Sequence, residues 1–161
     1  HYRKEMFQRF WAYKAKYFGL RPDLFGQESP SEQRPPVFLP EAAHHNILLP
    51  NDCTPHVERS VVGAIEPGHR HRWFRSMGSS QALAQSIFGN LKASGQLPML
   101  QGLRCENGQL AFGAWNPFAG DAVLEHDIHH LGEPRPTSID VFLSGEYSVA
   151  IECKLMEDGF G

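Results

Sequence analysis

Two alternating runs near the C-terminal end constrain this chain more than any other feature. Ser138–Leu143 alternates, Ser144-Gly145-Glu146-Tyr147 is turn-like, and Ser148–Leu155 alternates again, which predicts a β-hairpin. Successive strand residues point to opposite sides of a sheet. Ile139, Val141 and Leu143 therefore share one face of the first strand, and Val149, Ile151, Cys153 and Leu155 share one face of the second. The opposite face holds Asp140 and Phe142, then Ala150, Glu152 and Lys154. A slip of one residue would turn a whole apolar set towards solvent. Burying both apolar sets together thus selects registers that unite Asp140 with Glu152 and Lys154. A three-residue loop, Gly145 to Tyr147, puts Asp140 directly opposite Glu152, with Cβ atoms roughly 4.5–5.5 Å apart.

Two carboxylates that close repel each other unless a cation lies between them. Mg²⁺ suits the pair because it takes oxygen ligands, keeps several waters and is commonly held by one or two carboxylates plus substrate phosphate. Mn²⁺ is a plausible substitute with the same donors. Lys154 projects from the same predicted face and could orient an attacking water or offset charge growing on phosphate. Against this stands the ordinary reading of Glu-x-Lys on a strand, a solvated face with a weak ion pair. Three details favour chemistry. The Glu-Cys-Lys follows the apolar run Val149-Ala150-Ile151, the Asp lies one hairpin upstream on the same face, and a Pro- and Gly-rich segment precedes the hairpin.

The rest of the chain is less sharply patterned. Residues 3–18 predict an amphipathic helix through Phe7, Phe10, Trp11, Ala15 and Phe18, with Gly19 as its stop. Seven prolines between residues 21 and 60 forbid long regular elements, leaving at most a helical turn near Glu41–His45. A second helix is expected from Ser79 or Ser80, as cap, to about Leu91, with Leu83, Ile87, Phe88 and Leu91 buried. Residues 109–115 suit a short strand, and Asp121–Leu131 a helix ended by Pro134 and Pro136. The domain reading is an N-terminal helix and Pro-rich extension over 1–69, then the N-terminal part of a second, core region over 70–161.

Composition excludes little. The chain has 161 residues and net charge −3, which does not advertise nucleic-acid binding, since affinity for phosphate needs Lys and Arg. A local basic cluster, His69, Arg70, His71, Arg72 and Arg75, departs from that average. No apolar run approaches the ~20 residues of a membrane span, so no membrane is expected. Three widely spaced cysteines give neither a disulfide framework nor a zinc pattern, and a reducing cytoplasm is the simplest setting. With no initiator Met, the chain reads as a piece of a longer protein.

Asp140, then Glu152-x-Lys154 at the end of an apolar strand, resembles the PD-(D/E)XK nuclease superfamily. The wider order of segments strengthens the likeness: Trp73-Phe74-Arg75-Ser76, then Ser79-Ser80-Gln81-Ala82-Leu83, Phe88-Gly89, Leu131-Gly132-Glu133-Pro134-Arg135-Pro136-Thr137-Ser138-Ile139-Asp140, and Ala150-Ile151-Glu152-Cys153-Lys154-Leu155. Together these resemble a group of restriction-endonuclease-like bacterial proteins, over roughly residues 70–161. The resemblance implies an α/β (α+β) restriction-endonuclease-like core, in which the 79–91 helix precedes a mixed sheet. The core is truncated after the E-x-K strand and should continue past Gly161. The resemblance further implies a metal-dependent nuclease hydrolysing DNA phosphodiesters, with Asp140 and Glu152 as Mg²⁺ ligands and Lys154 assisting the water. Restriction-like nucleases are often homodimers, and a homodimer is the matching expectation. One departure stands out: many members carry an acid on the first helix, whereas this helix offers Ser80, Gln81 and Gln85. Either Gln81 stands in, or Glu125 or Glu133 supplies the missing carboxylate. The alternative is a catalytically inactive nuclease-fold module that binds nucleic acid or a protein partner.

Other chemistry-bearing residues have bland readings beside functional ones. His69-x-His71 and His126-x-x-His129-His130 could bind zinc if helical, but no third ligand is marked; solvated or phosphate-contacting histidines are the preferred reading. Arg70, Arg72 and Arg75 either contact DNA phosphate or line a solvated loop. Cys153 reads as a small core residue, with no basic partner to make it a nucleophile. Trp11 and its aromatic neighbours read as packing.

Overall fold

The computed structural model describes residues 2–26, 33–113, 121–129, 132–134, 136–145 and 147–156. It combines helices with a small three-stranded sheet, an α/β arrangement. The chain divides into two compact units. Unit 1 takes 1–48, 70–83 and 153–161, and unit 2 takes 49–69 and 84–152. The expected boundary at 69/70 is one of the places where the chain passes between them, but each unit is assembled from separate segments.

Unit 1 opens with α1 (Tyr2–Phe18). The helix stops at Gly19, where a Cβ would lie 2.6 Å from the Ala15 carbonyl oxygen. Of the expected stripe, Phe7 is buried, Phe10, Trp11 and Phe18 are half-buried and Ala15 is exposed. The following segment forms a 3₁₀ helix at Pro40–Asn46, where a helical turn was expected. The unit's centre is aromatic: the Phe25 and Phe38 rings lie 4.4 Å apart and Phe18 meets Phe38 edge-on at 5.4 Å. Loop backbone is paired rather than abandoned. Phe38 N–H donates to the Arg75 carbonyl, Met77 N–H to that of Pro36, and Asn46 Nδ2 to those of Phe74 and Ser76.

Unit 2 begins with an element the proline count concealed. Residues Pro55–Val62 form α2, with Thr54 as cap accepting the Val57 amide and Pro55 in the first turn. A proline there loses no helical hydrogen bond and has the right φ already. The expected second helix is present as α3 (Ser80–Ala84), a π turn (Gln85–Gly89) and α4 (Asn90–Ala93). Ser79 Oγ accepts the Ala82 amide at its start. Gly95, at φ +68, ends it, with Gln96 N–H reaching back to Leu91 and Gly95 N–H to Lys92, the paired bonds of a Schellman motif. A π turn inserts a residue into the helical repeat, so the buried face is not the expected one. Ile87 is exposed, while Ala84, Gln85, Ser86, Phe88 and Gly89 are buried. Gly89 allows close approach of α2: a Cβ there would be 3.2 Å from Val61 Cγ1.

The sheet is β1 (Ala122–Ile128), β2 (Thr137–Leu143) and β3 (Val149–Ile151), in that order and antiparallel throughout its described residues. Three expectations are corrected. Asp121–Leu131 is not a helix: Leu124 and Ile128 suit a helical i, i+4 pair, but Ala122 and Leu124 are buried on the face shared with Ile139, Val141 and Leu143, and pairing with β2 decides the matter. Residues 109–113 are not a strand; Leu110 makes one isolated bridge to Arg104 before a turn, and 114–115 lie outside the described residues. The last strand stops at Ile151 and does not run to Leu155. From Cys153 the chain belongs to unit 1, where the Leu155 carbonyl accepts the Tyr2 hydroxyl.

Candidate active site

The outer face of β2 carries Ser138, Asp140 and Phe142, opposite the buried Ile139, Val141 and Leu143. On one side, β3 pairs Val141 with Ile151, Phe142 with Ala150 and Leu143 with Val149. The described pairing ends at Val141–Ile151, one residue short of Asp140 and of Glu152, and Glu152 is the last residue of unit 2. Asp140 is half-buried and Glu152 exposed. Lys154 is exposed and belongs to unit 1; its relation to the pair is its place in the chain, two residues after Glu152.

On the other side of β2 the ladder is locally irregular. Leu124 pairs with Val141 and His126 with Ile139, leaving Glu125 opposite Asp140. Glu125 has φ +51, a left-handed conformation that costs an L residue roughly 1–2 kcal/mol. The consequence is seen in two contacts. Glu125 Oε2 accepts the Ser138 hydroxyl at 3.1 Å, and the His126 ring stacks on Phe142 at 4.5 Å. Ser138 and Phe142 are the same-face neighbours of Asp140, two residues either side. Consecutive residues Glu125 and His126 thus both reach the Asp140 face, which simple alternation forbids. Strain of this kind is concentrated at functional sites. Glu125 was legible as a candidate acid; His126 beside Asp140 was not, because its placement depends on the strained backbone.

The remaining sequence candidates lie elsewhere. Gln81 is 2% exposed, and its Oε1 accepts the His71 amide at 3.0 Å. Glu133 is held by the Thr137 hydroxyl, at the start of β2. Arg75 is half-buried and donates to the Phe38 carbonyl at 2.8 Å. Arg70 lies over the Phe74 ring at 4.6 Å, where burial lowers its pKa. Arg72 is exposed, 5.1 Å from the exposed Trp73 ring. The helical His126/His130 zinc face does not exist, since 122–128 is strand; His130 lies outside the described residues. Cys153 is half-buried, and Trp11 Nε1 donates to the Arg34 carbonyl, a packing role.

Among the described residues, no three His, Cys, Asp or Glu side chains are grouped so that they could hold a metal ion. This does not conflict with Mg²⁺, which needs one or two protein carboxylates and fills its remaining positions with water and phosphate. The donors around Asp140 are hard oxygens, as that ion prefers. No helix of the described residues is long and apolar enough to cross a membrane.

Residues 16–161 match the model of a protein family described as Restriction Endonuclease associating with ARP. No curated protein matches the chain, and no solved structure does.

Proposed function

The chain belongs to the family Restriction Endonuclease associating with ARP, and from that premise we propose that it is a Mg²⁺-dependent nuclease of PD-(D/E)XK type acting on DNA. The observation that carries this reading is the β2–β3 pairing of Val141 with Ile151, whose register, continued by one residue, would bring Asp140 and Glu152 together on the outer face. The order of elements supports it in part: a helix precedes the sheet as expected, while the described strands are antiparallel and not mixed. The family description couples its endonuclease to ARP, and we extend that association to this chain.

Asp140 and Glu152 would hold Mg²⁺, with Mn²⁺ as a substitute. When bound, the ion supplies positive charge against the phosphate and lowers the pKa of a water. Lys154 offers an ammonium to orient the attacking water or to donate to a phosphate oxygen. Water oxygen bonds to phosphorus, the bridging P–O bond breaks, and the leaving oxygen takes up a proton. Glu125 is the accessory acid we favour. Its register position is opposite Asp140; like Gln81 and Glu133 it already accepts a hydrogen bond, but from Ser138, a same-face neighbour of Asp140. In a homodimer, two such sites could address the two strands of a duplex.

The test is cleavage of plasmid and linear DNA with Mg²⁺, Mn²⁺ or EDTA, beside Asp140→Ala, Glu152→Ala and Lys154→Ala. Metal-dependent cutting lost in all three is expected, with circular dichroism unchanged. Cutting retained in Asp140→Ala or Glu152→Ala removes the assignment of metal ligands. A folded wild type that binds DNA and never cuts it points to the inactive module.

A further inference from the structure

Unit 1 contains a groove that the proposed nuclease chemistry does not use. Its volume is about 610 Å³, within the ~300–1,000 Å³ of small-molecule sites. Among the described residues its charged lining is Arg3 and Arg34, with the His71 imidazole beside them and no Asp or Glu. Trp73 stands on the wall, 58% exposed.

The backbone turn that carries Trp73 is held by hydrogen bonds. Trp73 N–H donates to His71 Nδ1 at 3.0 Å, and His71 N–H donates to Oε1 of the buried Gln81 at 3.0 Å. A buried side chain thus anchors the turn that presents the aromatic. Arg72 adds a guanidinium beside the same ring. Phe7 and Met156 contribute apolar lining.

We propose that this groove binds a nucleotide unit of a single-stranded nucleic acid, its base against Trp73 and its phosphate among Arg3, Arg34 and His71. Cations that follow the backbone, combined with an aromatic platform, are how single strands are held without regard to sequence. A paired base in a duplex is already stacked on both faces and has none to offer the indole. The choice of nucleic acid over other flat anions rests on the nuclease reading.

The test is fluorescence anisotropy of a labelled oligothymidylate of about a dozen nucleotides, titrated with the full chain in EDTA. Binding that weakens with salt is expected. Trp73→Ala should weaken it roughly ten-fold or more, and Trp73→Phe should restore much of it. Arg34→Gln should lower affinity and reduce the salt slope by about one phosphate contact. Thymidine monophosphate that displaces the oligonucleotide would show that the same site takes a free nucleotide; failure to displace it would tie the site to a strand. Unchanged affinity in both Trp73→Ala and Arg34→Gln overturns the proposal, as does equal affinity for an acidic peptide. Because EDTA removes the need for cleavage, the two readings fail separately. Oligonucleotide binding by a protein that never cuts DNA defeats the nuclease alone. Cutting by a protein whose Trp73 and Arg34 variants bind normally defeats the groove alone.

Discussion

Among the fully buried apolar side chains, Phe38 and Phe74 of unit 1 and Ile65 of unit 2 lie outside the helices and strands, whereas Val61, Val141 and Leu143, all of unit 2, lie on them; in unit 1 the buried Phe7 lies on α1. An aromatic ring removes much apolar area from water per residue, so a few rings can organise loops that have no ladder of their own. The loops then need individual hydrogen bonds, which Asn46 and Arg75 supply. Aliphatic side chains cover less area each and depend on regular spacing to form a continuous layer. The helix that begins in unit 1 and continues in unit 2 carries a buried glutamine for each: Gln81 accepts from the His71 backbone, and Gln85 donates to the Val61 and Val62 carbonyls. The difference teaches that a loop-built unit concentrates its stability in few side chains, while a ladder-built one spreads it.

The largest effect should therefore fall on Phe38. Phe38→Ala is expected to cost about 3–5 kcal/mol, measured by urea unfolding, because its ring contacts both Phe18 and Phe25. Native-state hydrogen exchange sharpens the comparison. Faster exchange confined to unit 1 amides supports separate cores, and a uniform rise across β1 and β2 breaks the distinction.

Gln85→Met comes next, at about 1–3 kcal/mol. The side chain has 0% exposure, and its Nε2 satisfies the last two carbonyls of α2 at 2.7 and 3.0 Å. Methionine fills similar space but removes both side-chain donations, while the Val61 carbonyl keeps the Ala64 amide. A neutral or stabilising result would mean that water reaches the end of α2, and that unit 2 does not depend on this one polar side chain.

Glu125→Gly should act in the opposite direction. Glycine adopts positive φ without steric cost, so removing the strain at φ +51 should raise stability by up to about 1 kcal/mol. On the proposed function the same change lowers DNA cleavage, since it deletes the carboxylate opposite Asp140. Thermal unfolding and cleavage measured on one preparation check both signs. Lower stability would mean that the Ser138–Glu125 hydrogen bond outweighs the strain.

What could be read from the sequence follows the same division. The β2–β3 pairing of Val141 with Ile151 was legible because period-two alternation on two nearby runs leaves few ways to bury both apolar sets. The α1 helix and its end at Gly19 were legible for the equivalent reason at period 3.6. Residues 122–128 were misread because seven residues with apolar positions at both spacings do not choose between helix and strand, and the choice came from β2, distant in the sequence. The π turn at Gln85–Gly89 left no periodic signature and moved Ile87 to the surface. The family match spans 16–161, a longer reach than the motif-bearing segments from 70 onward.

The smallest expected effect tests whether a surface charge pair steadies the entry to β1. Lys92 Nζ lies 2.9 Å from Asp121 Oδ1 and also donates to the Ala122 carbonyl at 2.7 Å. The Lys92 hydrogen bond, helped by the Ala122 amide, holds the Asp121 pKa below its ordinary 3.8. A depressed carboxylate pKa stabilises the fold above the ordinary value, and that contribution is lost as pH falls through the lower, folded-state value. The side chain is 62% exposed, so Asp121→Asn should cost only about 0.5 kcal/mol at neutral pH. The gap to wild type should close as pH falls below 3.8, and shrink in high salt. Urea midpoints at the two pH extremes decide it. A gap that persists in acid would assign the effect to the Ala122 backbone contacts, leaving the start of β1 held by neutral hydrogen bonds like the loops of unit 1.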